Sequence, residues 1–184
     1  MPNYNLIIHA SMDENKVGTM QNIGDQIGHE LCTVKWYKYS GGWKAVYRPQ
    51  TPDKREGICQ FMIDAIANGF IGYDQNRKRR KAFFDAVQEL DFKVSELDTH
   101  KSTDCCGLVF TAVFSQYKIP ASNAEFDLNG LEIFGIPTTG LIDDYFIKDV
   151  KDFVKYTDSA HLESASELER GDILLADGHI AIYI

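Results

Sequence analysis

The chain has 184 residues, enough for one ordinary domain with a full core, and its 44% hydrophobic and 25% charged residues are the balance of a globular protein. Nineteen Lys and Arg against 27 Asp and Glu give a net charge of −8, which argues against a broad nucleic-acid-binding surface. No apolar run is long enough to span a bilayer, and Met1 to Lys16 lacks the basic and apolar regions of a signal peptide. The expectation is therefore synthesis in the cytoplasm and no membrane insertion, with any action outside the cell requiring release.

Asn5-Leu6-Ile7-Ile8-His9 reads as a short strand. Ala10 to Gly28 reads as an ordered loop that holds the dense polar cluster Gly24-Asp25-Gln26-Ile27-Gly28-His29-Glu30. Leu31 to Tyr39 and Trp43 to Arg48 flank a Ser40-Gly41-Gly42 turn, and their β-branched and aromatic content predicts a β-hairpin. Thr51-Pro52-Asp53 opens a helix with a cap, a proline at the first position and an acid in the first turn. Ile58, Phe61, Met62, Ala65 and Ile66 then recur at helical spacing, and Asn68-Gly69 supplies the stop. Cys59 beside that stripe reads as a small packing residue.

Ile71-Gly72-Tyr73-Asp74-Gln75 reads as a connector. A second amphipathic helix follows through Phe83, Phe84, Val87 and Leu90, and the basic run Arg77-Lys78-Arg79-Arg80-Lys81 at its start reads as a solvated face. Phe92 to His100 reads as a polar connector into Thr103-Asp104-Cys105-Cys106-Gly107, after which Leu108, Val109, Phe110, Ala112, Val113 and Phe114 predict a buried helix capped by Thr103 or Asp104. Thr138-Thr139 predicts a cap for a short helix through Leu141, Ile142, Tyr145 and Phe146. The chain ends in two β-rich runs, Ile173-Leu174-Leu175-Ala176 and His179 to Ile184, around the turn Asp177-Gly178. No repeat or low-complexity linker divides the chain, and the fold class is α+β.

The chemistry concentrates at two of these places. A cysteine in the first turn of a helix sits where unpaired N–H groups and the dipole favour a thiolate, so Cys105 is a candidate nucleophile. His179 opens a strand after a turn glycine and has the imidazole that such a thiol needs as its base. The four cysteines (Cys32, Cys59, Cys105, Cys106) have neither a disulfide framework nor the spacing of a zinc site, so reduced thiols are expected, with no metal and no cofactor.

Asp104-Cys105 before an apolar helix, then Arg170-Gly171-Asp172-Ile173-Leu174-Leu175 and Gly178-His179-Ile180-Ala181-Ile182, resembles the NlpC-type family of papain-like peptidoglycan peptidases. Gly24-Asp25-Gln26-x-Gly28-x-Glu30 with Trp36-Tyr37, then Ile71-Gly72-Tyr73-Asp74-Gln75 and Lys155-Tyr156-Thr157-Asp158-Ser159, resemble a group of bacteriophage and prophage endolysins. The ordered set spans nearly the whole chain. The resemblance implies a papain-like fold in which the cysteine helix packs on an antiparallel sheet that carries the histidine. It divides residues 1–184, a single catalytic domain, into an N-terminal β-hairpin extension (1–50) and a papain-like core (51–184).

It further implies metal-free cleavage of amide bonds in peptidoglycan stem peptides, on the bacterial wall after release from the cell. By position, Cys105 is the nucleophile and His179 the base. Tyr73 lines the site, Asp104 supports the cysteine, and Asp172 is a turn acid with a structural or supporting part. Asp25, Gln26 and Glu30 fall near the cleft, with substrate or support roles left open. Two departures stand out: Cys106 replaces the family's serine, and no polar side chain fit to orient the imidazole follows His179 on its strand. Either an upstream residue such as Asp25, Gln26 or Glu30 serves, or the chain is a fragment, or activity is weak or lost. The last case gives the alternative reading, a stem-peptide-binding or phage structural module of the same fold.

Overall fold

A computed structural model describes residues 5–10, 30–119 and 139–184 of the chain. Its centre is a six-stranded sheet of order β2-β1-β8-β7-β3-β6 in which every recorded pairing is antiparallel. The strands are β1 (Leu6–Ala10), β2 (Leu31–Lys35), β3 (Ala45–Pro49), β6 (Phe153–Tyr156), β7 (Ile173–Ala176) and β8 (His179–Tyr183). A separate parallel pair joins β4 (Ile71–Tyr73) to β5 (Lys101–Thr103). Helices α1 (Pro52–Ala67), α2 (Arg77–Glu89) and α3 (Cys105–Tyr117) share one core cluster with one face of the large sheet. This is an α+β fold.

Strand alternation sorts the two faces of the sheet. Ile8, Ala10, Ala45, Tyr47, Ile173, Leu175, Ile180 and Ile182 join the helices in the main core. Ile7, Val46, Leu174, Ala176, Ala181 and Tyr183 face the other way, into a smaller cluster with Trp43 and Leu168 against which Trp36, Tyr37 and Tyr39 pack. α3 is buried at ten of its thirteen positions, as its apolar sequence requires. Asp104 is its N-cap, accepting a 2.7 Å hydrogen bond from the Gly107 N–H through Oδ1. α1 carries Pro52 in its first turn and ends at Asn68. The Asp177-Gly178 turn joins β7 to β8, with Gly178 at φ +77° where glycine is the undemanding choice.

The expected hairpin of Leu31–Tyr39 with Trp43–Arg48 does not form. β2 pairs with β1 at the edge of the sheet, whereas β3 lies between β7 and β6. The burial patterns explain this: β3 is buried at all five positions, as an interior strand between two neighbours must be, while β2 alternates. The glycine turn exists, with the Gly42 N–H donating to the Tyr39 carbonyl at 2.8 Å, but it reverses an aromatic loop rather than joining two paired strands. The segment 71–75, read as a connector, contains β4, and β5 directly follows the connector read over 92–100. Their parallel pairing sets Tyr73 beside Thr103, one residue before the cap of α3.

Beyond α4 (Thr139–Asp143) the helix continues as a π-helical turn over Asp144–Val150 that buries Tyr145 and Phe146. The proposed cap residue Thr138 lies outside the described residues. Asp158 caps the short α5 (Ser159–Leu162).

Candidate active site

The N-terminus of α3 meets the start of β8. Cys105 is the first residue of α3 and is 5% exposed, and its thiol interacts with the His179 side chain and with the N–H of Ile180. Five influences act on that thiol. The neighbouring Cys106 thiol, the hydrogen bond and charge of His179, and the Ile180 N–H together outweigh burial and hold it well below its ordinary range. Cys106 shows the complement: its interaction with Cys105 and its own burial push it well above. Of the two adjacent thiols, Cys105 is therefore the one disposed to ionise.

His179 has a second partner that the sequence did not reveal. His9 on β1 places Nδ1 2.9 Å from Nε2 of His179, with the rings edge-on at a centroid distance of 5.0 Å. The register accounts for the meeting. β1 and β8 pair Ile7 with Tyr183 and Ile8 with Ile182, so His9 falls opposite Ala181 and diagonal to His179 on the same face. Burial, and then the neighbouring His179, lower the His9 pKa from 6.5 to about 4. At neutral pH His9 is thus an uncharged imidazole, able to accept at Nδ1. Since His9 occupies Nε2 of His179, the other ring nitrogen, Nδ1, is left for the thiol.

Aromatic rings close the far side of the imidazole. Tyr39 stacks on His179 with an interplanar angle of 12° at 5.3 Å, Trp43 lies at 6.1 Å, and Tyr37 lies 6.3 Å from His9. The Trp43 indole N–H is fixed on the Tyr37 carbonyl at 2.9 Å. These rings come from the loop between β2 and β3, so the segment read as a hairpin packs against the histidine pair.

The other proposed residues divide. Tyr73 is buried at the site, its hydroxyl accepting from Gln75 Nε2 at 3.0 Å, and burial, followed by the nearby Cys105, raises its pKa. Asp104 is buried beside Cys105 and forms a 2.5 Å ion pair with Arg80. Burial and the Cys105 charge raise the Asp104 pKa to about 6, against the pull of Arg80 and the Gly107 N–H. Glu30 is buried just before β2, at the same end of the sheet as His179 with β1 between them. Asp25 and Gln26 lie outside the described residues.

Asp172 belongs elsewhere. It immediately precedes β7, at the opposite end of the β7–β8 hairpin from His179. There it takes both arms of Arg48 at 2.7 Å and the Glu169 N–H at 2.8 Å, while Arg48 also binds Glu169 and the Glu167 carbonyl. These bonds tie the β7 entry to β3. The basic run also differs from its reading: Arg80 points inward to Asp104 and is 5% exposed. The spacing Arg80, Phe83, Phe84, Val87 puts it on the buried stripe of α2, which is the signal that marks it. Among the described residues no group of three His, Cys, Asp or Glu could hold a metal ion, and none of the four cysteines is in a disulfide.

The fold and site together describe an α+β protein with a helix-borne cysteine set against a strand-borne histidine. Residues 7–184 match the model of the endolysin-like domain, and the chain belongs to that family. Membership suggests a cell-wall lytic role of the phage type. No curated protein and no solved structure matches the chain. No helix among the described residues is long and apolar enough to cross a membrane.

Proposed function

We propose that the protein is a papain-like thiol hydrolase that cleaves amide bonds in peptidoglycan stem peptides. One observation carries this reading: Cys105, in the first turn of α3, faces a histidine whose other ring nitrogen is held by His9 at 2.9 Å. That line of three groups is what acyl transfer by a thiol requires.

In the resting site the Cys105 proton resides on His179, giving a thiolate and an imidazolium. Nδ1–H of His179 then faces sulfur, and Nε2–H donates to Nδ1 of the neutral His9. The thiolate attacks the scissile carbonyl carbon, and the oxygen takes the negative charge near the N–H groups at the open end of α3. His179 gives its Nδ1 proton to the departing amine as the C–N bond breaks, leaving a thioester on Cys105. A water then gives a proton to His179 and attacks the thioester, releasing the carboxylic acid and restoring the thiolate–imidazolium pair. His9 holds the ring in place throughout and accepts the hydrogen bond that each imidazolium stage strengthens.

The alternative, a binding module without turnover, drew its motive from the absence of an orienting side chain after His179. His9 supplies such a group from a strand earlier in the chain, so the hydrolase reading is preferred. The site is then a wall-acting one. The test is release of free amino groups from purified Gram-positive sacculi by wild type, Cys105→Ala and Cys106→Ala. Loss of release in Cys105→Ala alone is expected, and mass spectrometry of the fragments would name the bond. Full release by Cys105→Ala would overturn the proposal.

A further inference from the structure

We propose that Arg80 is a positioning residue of the cysteine site, its buried guanidinium allowing Asp104 to stand as a carboxylate cap immediately beside the Cys105 thiolate. This rests on the reading of Cys105 as the reacting thiol. It starts from a conflict that the fold creates. Asp104 is the N-cap of α3 and Cys105 is the next residue, so two groups that act as anions share one buried turn. Two like charges so close oppose each other's ionisation, and burial opposes both.

Arg80 answers that conflict from a different element. Its Nη1 lies 2.5 Å from Asp104 Oδ2, and both side chains are only 6% exposed. The other carboxylate oxygen, Oδ1, accepts the Gly107 N–H at 2.7 Å, so one carboxylate links α2 to the first turn of α3. The packing there is close. A Cβ at Gly107 would stand 2.3 Å from Thr103 Oγ1 and 3.3 Å from Asp104 Oδ1, so glycine at this position leaves room for Thr103 and the cap, with the arginine stem in ordinary contact at 3.6 Å.

A count of the charges shows what the arginine does. The reacting site holds the Cys105 thiolate and the His179 imidazolium; the support holds the Asp104 carboxylate and the Arg80 guanidinium. The other titratable groups facing this turn are neutral: Tyr73 from β4, Cys106 from α3, and His9 from β1 behind His179. With Arg80 the four charges sum to zero. Without it the site carries one negative charge too many, and Asp104 and Cys105 together retain a proton to higher pH. Because the two acids are coupled, that last proton belongs to the pair, and removing a neighbouring cation moves its release upward whichever atom holds it.

The experiment is the pH dependence of Cys105 alkylation by iodoacetamide, resolved by mass spectrometry, alongside kcat/KM on sacculi. In wild type, alkylation reaches its plateau below the pH of an ordinary thiol. In Arg80→Met the plateau is expected to move up by about one pH unit or more, and the acid limb of the kcat/KM profile to move up with it. Arg80→Lys, which keeps the cation, should recover most of the shift. Arg80→Met with Asp104→Asn, which removes both charges, should bring the plateau back to within about half a unit of wild type.

A folded Arg80→Met with an unmoved plateau overturns the proposal. If Arg80→Met does not fold, Asp104→Asn decides: with the carboxylate gone and the cation kept, the plateau must fall, and an unmoved plateau again overturns the idea. An ordinary thiol profile for Cys105 in wild type would instead remove the hydrolase reading on which this one stands.

Discussion

His9 is the residue whose removal tests the site most sharply, because it touches His179 and is placed to touch no part of the thiol. In His9→Ala the Nε2–H of His179 loses an acceptor 2.9 Å away in a buried setting. A hydrogen bond to a charged group is worth about 1.5–3 kcal/mol, and without it the resting thiolate–imidazolium pair shifts toward thiol and neutral imidazole. A central figure of about 2 kcal/mol corresponds to roughly a 30-fold loss of kcat/KM. The loss should fall on kcat, since His9 lies behind the histidine and has no proposed part in holding substrate. His9→Gln and His9→Asn, whose amide oxygens accept a hydrogen bond, should recover part of it. The assay is initial-rate release of amino groups from sacculi across substrate concentrations, with thermal melts to equalise the folded fraction. If folded His9→Ala stays within about twofold of wild type, His9 is a packing residue and the orienting group lies elsewhere.

Two further outcomes follow from the same groups. The folded-state pKa of His9, about 4, lies below its unfolded value of 6.5, so its contribution to stability is fully present above pH 6.5 and is lost as pH falls toward 4. The gap sets a ceiling of about 3 kcal/mol. Asp104, raised to about 6, works in the opposite sense between its unfolded value of 3.8 and 6, so wild type alone would understate the effect. Urea melts of wild type and His9→Gln at pH 7.5 and 4.5 isolate it: wild type should lose stability relative to the variant at the lower pH, and a constant difference would contradict the assignment. Asp172→Ala leaves Arg48 without its buried partner and should cost about 3–5 kcal/mol of stability, while kcat/KM per folded molecule stays near wild type. A selective loss of kcat would return Asp172 to the active site.

How far the sequence reached depended on whether the deciding contact was local. The capped α3 could be read because a cap, a thiol and an apolar run are consecutive, and the β7–β8 turn because Asp177-Gly178 has its own backbone preference. β4 and β5 were missed because three-residue strands carry too little pattern to separate from a connector. The false hairpin has a related cause. Two β-rich runs around a glycine turn look alike whether they pair with each other or with distant strands. Only the full burial of β3, a property of its neighbours, shows that it lies inside the sheet.

The site residues follow the same division, and the two that the sequence withheld were hidden for different reasons. Arg80 was present in the pattern. Its spacing from Phe83, Phe84 and Val87 places it on the buried stripe, and the surrounding cations of the run masked it. A charged residue on an apolar stripe implies a buried counter-charge, and Asp104, already a cap candidate, was the acid for it. His9 offered no such clue. It lies 170 residues from His179, and the two meet only because β1 enters the sheet beside β8 in one register. A slip of one residue would turn His9 to the helix-facing side that Ile8 and Ala10 now occupy, and leave Ile8 or Ala10 beside His179. The apolar residues on both sides of His9 oppose that slip. The register of β1 on β8 therefore sets the geometry of the histidine pair, and a group that holds His179 can lie far from it in the chain.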